Sequence, residues 1–452
     1  MTTAWHDAVR RAGLSDPAAE LAAEHFGRTA ARHARHFAGP GRAWWVPGRI
    51  EVLGKHTDYG GGRSLLAAVE RGFHVIASPR PDNVVHIVDA STGASLVTRI
   101  DAAVPNRPRH WTDYPISVVR RIARDFPGAS TGMNMAMNSS LPSASGLSSS
   151  SALVIACFLP LAAFNALDRR PEWTAIADPD ARAEYLGAIE NGRAYDGFAA
   201  DHGVGTQGGS EDQTAITRAL AGHLLQYRFI PVLRERVIPI PPGWRFVVAM
   251  SGAHAPKGAA VQARYNALSE EITTLLGMWN QATGRHDRSL LASLESAPAA
   301  TEDLTRIVAN QGGPDADKLA ARLAQFREES ELIIPEVCGR IENGSPPAIG
   351  DLVTRSQSLA ETVLGNQIPE TIHLARRARD LGAAAATAFG AGFGGSVWAL
   401  VSDTTVDAFL PAWRRDYLEA FPRRAARAVF FVSAAGPAAT ELGLPTGPSN
   451  LP

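Results

Sequence analysis

Residues 141–152 read Leu-Pro-Ser-Ala-Ser-Gly-Leu-Ser-Ser-Ser-Ser-Ala and lie between a strand-like run at 133–137 and a long apolar helix ending near Ala166. This passage constrains the fold more than any other stretch. Residues so small let the backbone curl around an anion, and the first N–H groups of the following helix have no intrahelical partners. Serine hydroxyls add donors for phosphate oxygens and a ligand for Mg²⁺. No Gly-Lys-Ser/Thr follows, which rules out a Walker A loop. A flexible serine-rich linker is the bland alternative, but a linker does not run straight into Leu-Val-Ile-Ala-Cys-Phe-Leu.

Three other segments carry candidate chemistry. At 47–62, after the strand-like Trp44-Trp45-Val46, come Arg49, Lys55, His56 and Asp58 beside Gly60, Gly61 and Gly62. Polar side chains among residues too small to build a core suit a polyhydroxylated ligand. At 203–215, Asp212 opens a helix behind a glycine loop, where the helix dipole favours a carboxylate. There it can orient, or take the proton from, an attacking hydroxyl, or simply cap the helix. At 390–395, Gly-Ala-Gly-Phe-Gly-Gly contains GxGxxG, but a strand-like run follows where a dinucleotide site requires a helix. These glycines are expected to join two strands.

At 452 residues the chain exceeds one ordinary core. The expected domains are 1–221 and 222–452. Strand and helix runs come in clumps, which predicts an α+β fold. Hydrophobic content of 45%, charged content of 20% and a net charge of −1 indicate a globular protein with no electrostatic case for nucleic acid or an anionic membrane. No apolar run reaches membrane-spanning length and no basic-then-apolar leader is visible, so a cytoplasmic location is expected. Cys157 and Cys338 read as buried small hydrophobes, and His33 with His36 as solvated helix surface. Of 44 basic residues only Lys55, Lys257 and Lys318 are lysines.

Together the motifs resemble those of the GHMP kinases, and among them the galactokinases. The pattern Pro142-x-x-x-Gly146-Leu147-Ser148-Ser149-Ser150 is similar to the superfamily's ATP loop, 390–395 to its third motif and 47–62 to the galactokinase signature. Gly-Gly-Ser-Glu-Asp-Gln (208–213) looks like the segment bearing the catalytic aspartate, and Glu190-Asn191 like that bearing the magnesium glutamate, although an insertion near 193–202 separates the two. Shorter likenesses at Trp111-x-x-Tyr114, Tyr265-Asn266, Ser358-Leu359 and Pro369-Glu370 extend the resemblance over about residues 40–435.

The resemblance implies a two-domain GHMP fold, with an N-terminal domain like domain 2 of ribosomal protein S5 and a ferredoxin-like C-terminal domain. It implies ATP held by Pro142, Ser143, Ala144, Ser145, Gly146, Leu147, Ser148, Ser149, Ser150 and Ser151, with Mg²⁺ between Ser149 and Glu190. Asp212 would act on the attacking hydroxyl and Arg49 would stabilise the transferring group. Arg49, Lys55, His56, Asp58, Gly209, Asp212, Lys257 and Tyr265 would surround a sugar or cyclitol, in a monomer or homodimer.

Lys55 departs from the pattern, standing where galactokinases carry a glutamate. A lysine only donates hydrogen bonds and reverses the charge. The expected substrate therefore bears an anionic group at its C6 end, such as a 6- or 7-phosphate or a uronate, and is phosphorylated at an anomeric or equivalent hydroxyl. Galactose itself and a non-catalytic sugar sensor are the alternatives. An internal ion pair of Lys55 with Glu51 or Glu70 is the structural alternative for the residue.

Overall fold

The computed structural model describes residues 2–107, 110–142, 146–253, 259–344 and 346–443. Ser143, Ala144, Ser145 and Lys257 lie outside the described residues. Strands β1 (Arg42–Leu53), β2 (Arg63–Pro79), β3 (Val84–Asp89), β4 (Ser95–Arg99), β5 (Met133–Ser139), β6 (His223–Arg228) and β7 (Leu233–Pro239) build a nine-stranded sheet with two short strands, Ala435–Gly436 and Thr440–Glu441, from late in the chain. Its order is β1-β2-β5-β3-β4, with β6 on β2 and β7 on β6; the late strands pair with β2 and β1. Every pairing is antiparallel except β3 with β5. The second sheet, in the order β11-β8-β10-β9, comprises β8 (Trp244–Met250), β9 (Ala385–Phe389), β10 (Ser396–Ser402) and β11 (Val429–Ser433). The expected boundary at 221/222 cuts across the first sheet, because β6, β7 and both late strands belong to it.

Strand periodicity sends alternate side chains of β1 to opposite faces. Trp45 joins Trp5, Phe26 and Ile76 under helices α1 (Thr2–Arg11) and α2 (Asp16–His36). Trp44 instead meets Phe164 edge-on from α4 (Ser149–Phe164), on the face shared with α3 (Asp113–Asp125) and α5 (Pro179–Asn191). Helix α4 has no polar face after its serines, and residues 151–158 are all buried. That burial fixes the start of the helix, and with it the serines at its head, 149–151. His33 corrects the reading of a solvated pair: it is buried against Ser78 at 3.2 Å, and desolvation lowers its pKa to about 4, while His36 is exposed.

After α6 (Glu211–Arg218) come α7 (Ala259–Thr283), α8 (Leu290–Leu294), α9 (Ala300–Ala309) and α10 (Gly313–Arg327), which share a core with Tyr59. A π-helical turn at 328–333 leads into α11 (Ile334–Glu342) and α12 (Gly350–Thr362). Helices α13 (Pro369–Asp380) and α14 (Val406–Ala420) cover the second sheet. Cys157 and Cys338 are free and buried, as expected. No helix among the described residues is long and apolar enough to cross a membrane.

Candidate active site

Arg49 and Glu51 alternate along β1 and so face the same side. The Arg49 guanidinium is buried and donates through Nε to Asp212 Oδ1 at 2.7 Å and through Nη1 to the Gly146 carbonyl at 2.6 Å. One side chain thus joins the sugar-type signature, the serine loop and the head of α6. Burial lowers its pKa, but Asp212, Glu51 and Glu211 outweigh that and hold it charged. Asp212, only partly buried, also accepts from Ser151 Oγ at 3.3 Å.

Glu190 stands behind this pair. The insertion separating it from Asp212 closes on itself: Asp201 N bonds to the Gly192 carbonyl at 2.9 Å, and Val204 N to the Glu190 carbonyl at 2.8 Å. The extra residues therefore loop out and return to the Glu190 backbone. Its carboxyl accepts from Gln213 Nε2 at 2.6 Å, and the nearby Ser150 and Ser151 hydroxyls favour its charged form. Burial chiefly, with Asp212 adding, raises its pKa to about 7 against those donors. Among the described residues no three His, Cys, Asp or Glu side chains converge on a metal. A buried carboxylate beside helix-head hydroxyls nevertheless fits Mg²⁺, which binds through one or two carboxylates plus substrate phosphates.

This yields a pH signature. A carboxyl whose folded pKa is raised stabilises the protein below 4.5, and that contribution is lost as pH rises through about 7. The ligand-free protein is therefore expected to lose stability over that window, and Glu190→Gln to flatten the loss in thermal unfolding. Were Glu190 to hold Mg²⁺ with the nucleotide, it would do so in its ionised form, so affinity should then fall below pH 7 and binding should release a proton, measurable by calorimetry in buffers of different ionisation enthalpy. An identical pH profile in Glu190→Gln would refute the assignment.

Asn191 holds the loop ahead of Asp212, donating to the Gly209 carbonyl at 2.9 Å and accepting from Gly208 N at 3.0 Å. Asp58 accepts from Tyr59 N at 2.8 Å and Glu211 N at 3.2 Å, and burial raises its pKa. A Cβ on Gly209 would lie 2.1 Å from Asp58 Oδ2, so that position has room only for glycine. The Tyr265 ring stands 5.3 Å from His56, with its hydroxyl over Gly208. Asp58, Gly209, Tyr265, Arg49 and Asp212 thus come together around the head of α6.

His56 and Lys55 differ from expectation. His56 Nε2 lies 3.3 Å from the Ala391 carbonyl, which can only accept, so Nε2 carries the hydrogen. Nδ1 then accepts from the Tyr59 hydroxyl at 3.0 Å, which itself accepts from Arg322 at 3.1 Å. Burial, then Arg322, lowers the His56 pKa to about 3. With both nitrogens engaged, the ring clamps the signature to the glycine turn and has no atom left for a sugar. Lys55 is 1% exposed, and its ammonium donates to Ser356 Oγ at 2.9 Å. Ser356 in turn donates to Glu329 at 2.9 Å, and Glu51 also feels the Lys55 charge. Of the partners expected for an internal pair, Glu51 is close in charge, while Glu70 bonds elsewhere.

The glycine turn joins β9 to β10, as expected, and Gly390 N donates to Glu51 at 3.2 Å. His56 (φ 58°), Ser148 (φ 57°) and Phe393 (φ 58°) place a left-handed non-glycine residue in each of the three motifs. Such backbones cost about 1–3 kcal/mol each and persist where surrounding contacts over-determine them. Arg322, Glu329, Ser356 and Asn191 were not singled out as supports. Glu51, two residues from Arg49 on the same strand, and Glu211, beside Asp212, carried a usable signal.

The chain matches the galactokinase galactose-binding signature over residues 31–79, the GHMP kinases N terminal domain over 113–195 and the GHMP kinases C terminal domain over 339–419. It is 27% identical over 387 residues to a galactokinase of Chloroflexus aggregans, covering 84% of this chain and 88% of that protein. A Streptomyces coelicolor galactokinase is also 27% identical, over 83% and 88%. The fold matches Lactococcus lactis galactokinase complexed with galactose at a TM-score of 0.75 and 21% identity, over 91% of this chain and 98% of that one. Three family motifs in order, on one matching fold and around one Arg–Asp pair, give a single conclusion. The chain is a galactokinase-like sugar kinase of the GHMP superfamily, with that family's two-domain fold.

Proposed function

We propose that the chain transfers the γ-phosphoryl group of ATP to the anomeric hydroxyl of galactose or a closely related neutral hexose. The observation that carries this reading is the Arg49–Asp212 pair set between the serine loop and the Asp58–Gly209 corner. Asp212 would orient the attacking hydroxyl and take its proton, while Arg49 offsets charge gathering on the transferring group. Glu190 would hold Mg²⁺ with the nucleotide, joined by Ser150 and Ser151, which stand at its carboxyl in place of the expected Ser149, and the cation would supply charge neutralisation at the phosphates. Asp58 and Tyr265 would bind sugar hydroxyls, and His56 would position the glycine turn.

The burial of Lys55 removes the main argument for an anionic substrate. Its charge is directed at Ser356, Glu329 and Glu51, and the galactokinase relatives favour a neutral sugar. An ADP-release assay with galactose, galacturonate, hexose 6-phosphates and phosphorylated cyclitols tests this directly. Galactose is expected to give the highest kcat/KM. A 6-phosphate or uronate preferred by tenfold or more (about 1.4 kcal/mol) would overturn the reading. Sugar-dependent ADP release would also exclude a non-catalytic sensor, which the intact Arg49–Asp212 pair disfavours.

A further inference from the structure

Strand β2 carries a bulge opposite Gly48 of β1. Pro47 pairs with Gly72 and Arg49 with Ala68, so Gly48 alone spans Val69, Glu70 and Arg71. A bulge re-aims side chains. Here Gly48 packs on the serine loop, where an added Cβ would stand 2.6 Å from the Leu147 carbonyl, while Glu70 and Arg71 line a cavity of about 640 Å³ between α1, α2 and β11.

The two bulge residues are differently satisfied. Glu70 accepts from Ser15 N at 2.6 Å and from Ala434 N at 2.8 Å. Arg71 stacks with its guanidinium 4.0 Å from the centroid of the Phe431 ring, and among the described residues it makes no hydrogen bond or ion pair. Arg10 and Arg245, also in the lining, are paired with Asp16 and Asp403. Burial alone lowers the Arg71 pKa, with no carboxylate opposing it. A stacked, partly desolvated guanidinium without an acceptor gains most from a planar anion able to take two of its N–H groups. One uncompensated positive charge beside the Glu70 carboxylate favours a monoanion over a phosphate dianion. Ala18, Leu21 and Phe431 offer apolar walls for the rest of such a ligand.

We propose that this cavity is a second ligand site, separate from the catalytic cleft, that binds a small monocarboxylate with an apolar body through Arg71 and Phe431. Calorimetric titration of the full chain with benzoate should show saturable binding at millimolar concentrations or tighter. Benzamide, its neutral counterpart, and inorganic phosphate should bind more weakly. Arg71→Gln should weaken benzoate binding about 10–100-fold, the range for a lost charge-assisted hydrogen bond. Arg71→Lys, which keeps the charge without the fork, should fall between. Saturating ATP and galactose should leave benzoate binding intact, and unchanged thermal unfolding of both variants would show that the fold is preserved. Absence of saturable binding, equal affinity in Arg71→Gln, tighter phosphate binding or competition by ATP would each overturn the proposal. None of these readouts depends on catalysis.

Discussion

Asp212→Asn is expected to lower kcat by about 10²–10⁴-fold, the usual contribution of a positioned general base. Asparagine keeps the size and one acceptor oxygen, so α6 and the Ser151 contact should survive while the proton acceptor is lost. The sugar's KM should change little, because Asp58, Gly209 and Tyr265 stand apart from the substitution. The variant also leaves Arg49 facing an amide, with Glu211 at 3.9 Å as its nearest remaining carboxylate on α6. Steady-state ADP release combined with nucleotide titration separates the effects. Retention of kcat within about tenfold, or 1.4 kcal/mol, would reduce Asp212 to a helix-capping residue.

The second large effect concerns stability. Lys55→Met is expected to cost about 3–5 kcal/mol, the range for breaking a buried charge pair from one side. The ammonium reaches Glu329 through the Ser356 hydroxyl and offsets the charge of Glu51 at longer range, and each of these buried carboxylates has one oxygen with no side-chain or backbone partner. Removing Lys55 would leave Glu329 without its hydroxyl-bridged cation and Glu51 with Arg49 alone. Adding Glu329→Gln to Lys55→Met should recover part of the loss, since removing both charges is far less costly than removing one. Denaturant unfolding of the wild type, both single variants and the double variant gives the coupling directly. Additive losses would mean that Lys55 and Glu329 do not act as a pair. The same geometry makes Lys55→Glu a poor probe of sugar preference, because it adds a carboxylate to an already acidic pocket.

The motifs were legible because each depends on local chemistry. Small residues ahead of an apolar helix, glycines between strands and an acid at a helix head are all short-range patterns, and they led to Arg49, Asp58, Gly209 and Asp212. What those side chains touch across the fold was less legible. Lys55 read as a substrate contact because it stands within the sugar-type segment at the position where galactokinases carry a glutamate. Its partners, Ser356 and Glu329, lie some 300 positions away on α12 and the π-helical turn. His56 was misread for the same reason, since Ala391 and Arg322 occupy it from distant segments. Helices α8 and α9 are short, and their apolar residues find partners in α7, α10 and Tyr59 that no local pattern reveals. The boundary at 221/222 failed because composition does not reveal that β6 returns to pair with β2.

The strands Ala435–Gly436 and Thr440–Glu441 bear on how the protein is made. They seal β2 and β1, laid down nearly 400 residues earlier, and Ala434 N and Ser433 Oγ bond to Glu70 beside them. During synthesis the first sheet can gather its early strands, but it stays open along this seam until residues past 430 leave the ribosome. Arg49 and Glu51, the cleft residues on β1, are part of that sheet. Catalytic competence should therefore appear late and abruptly during translation, and nascent chains stalled short of residue 430 should expose a strand edge for chaperones to cover.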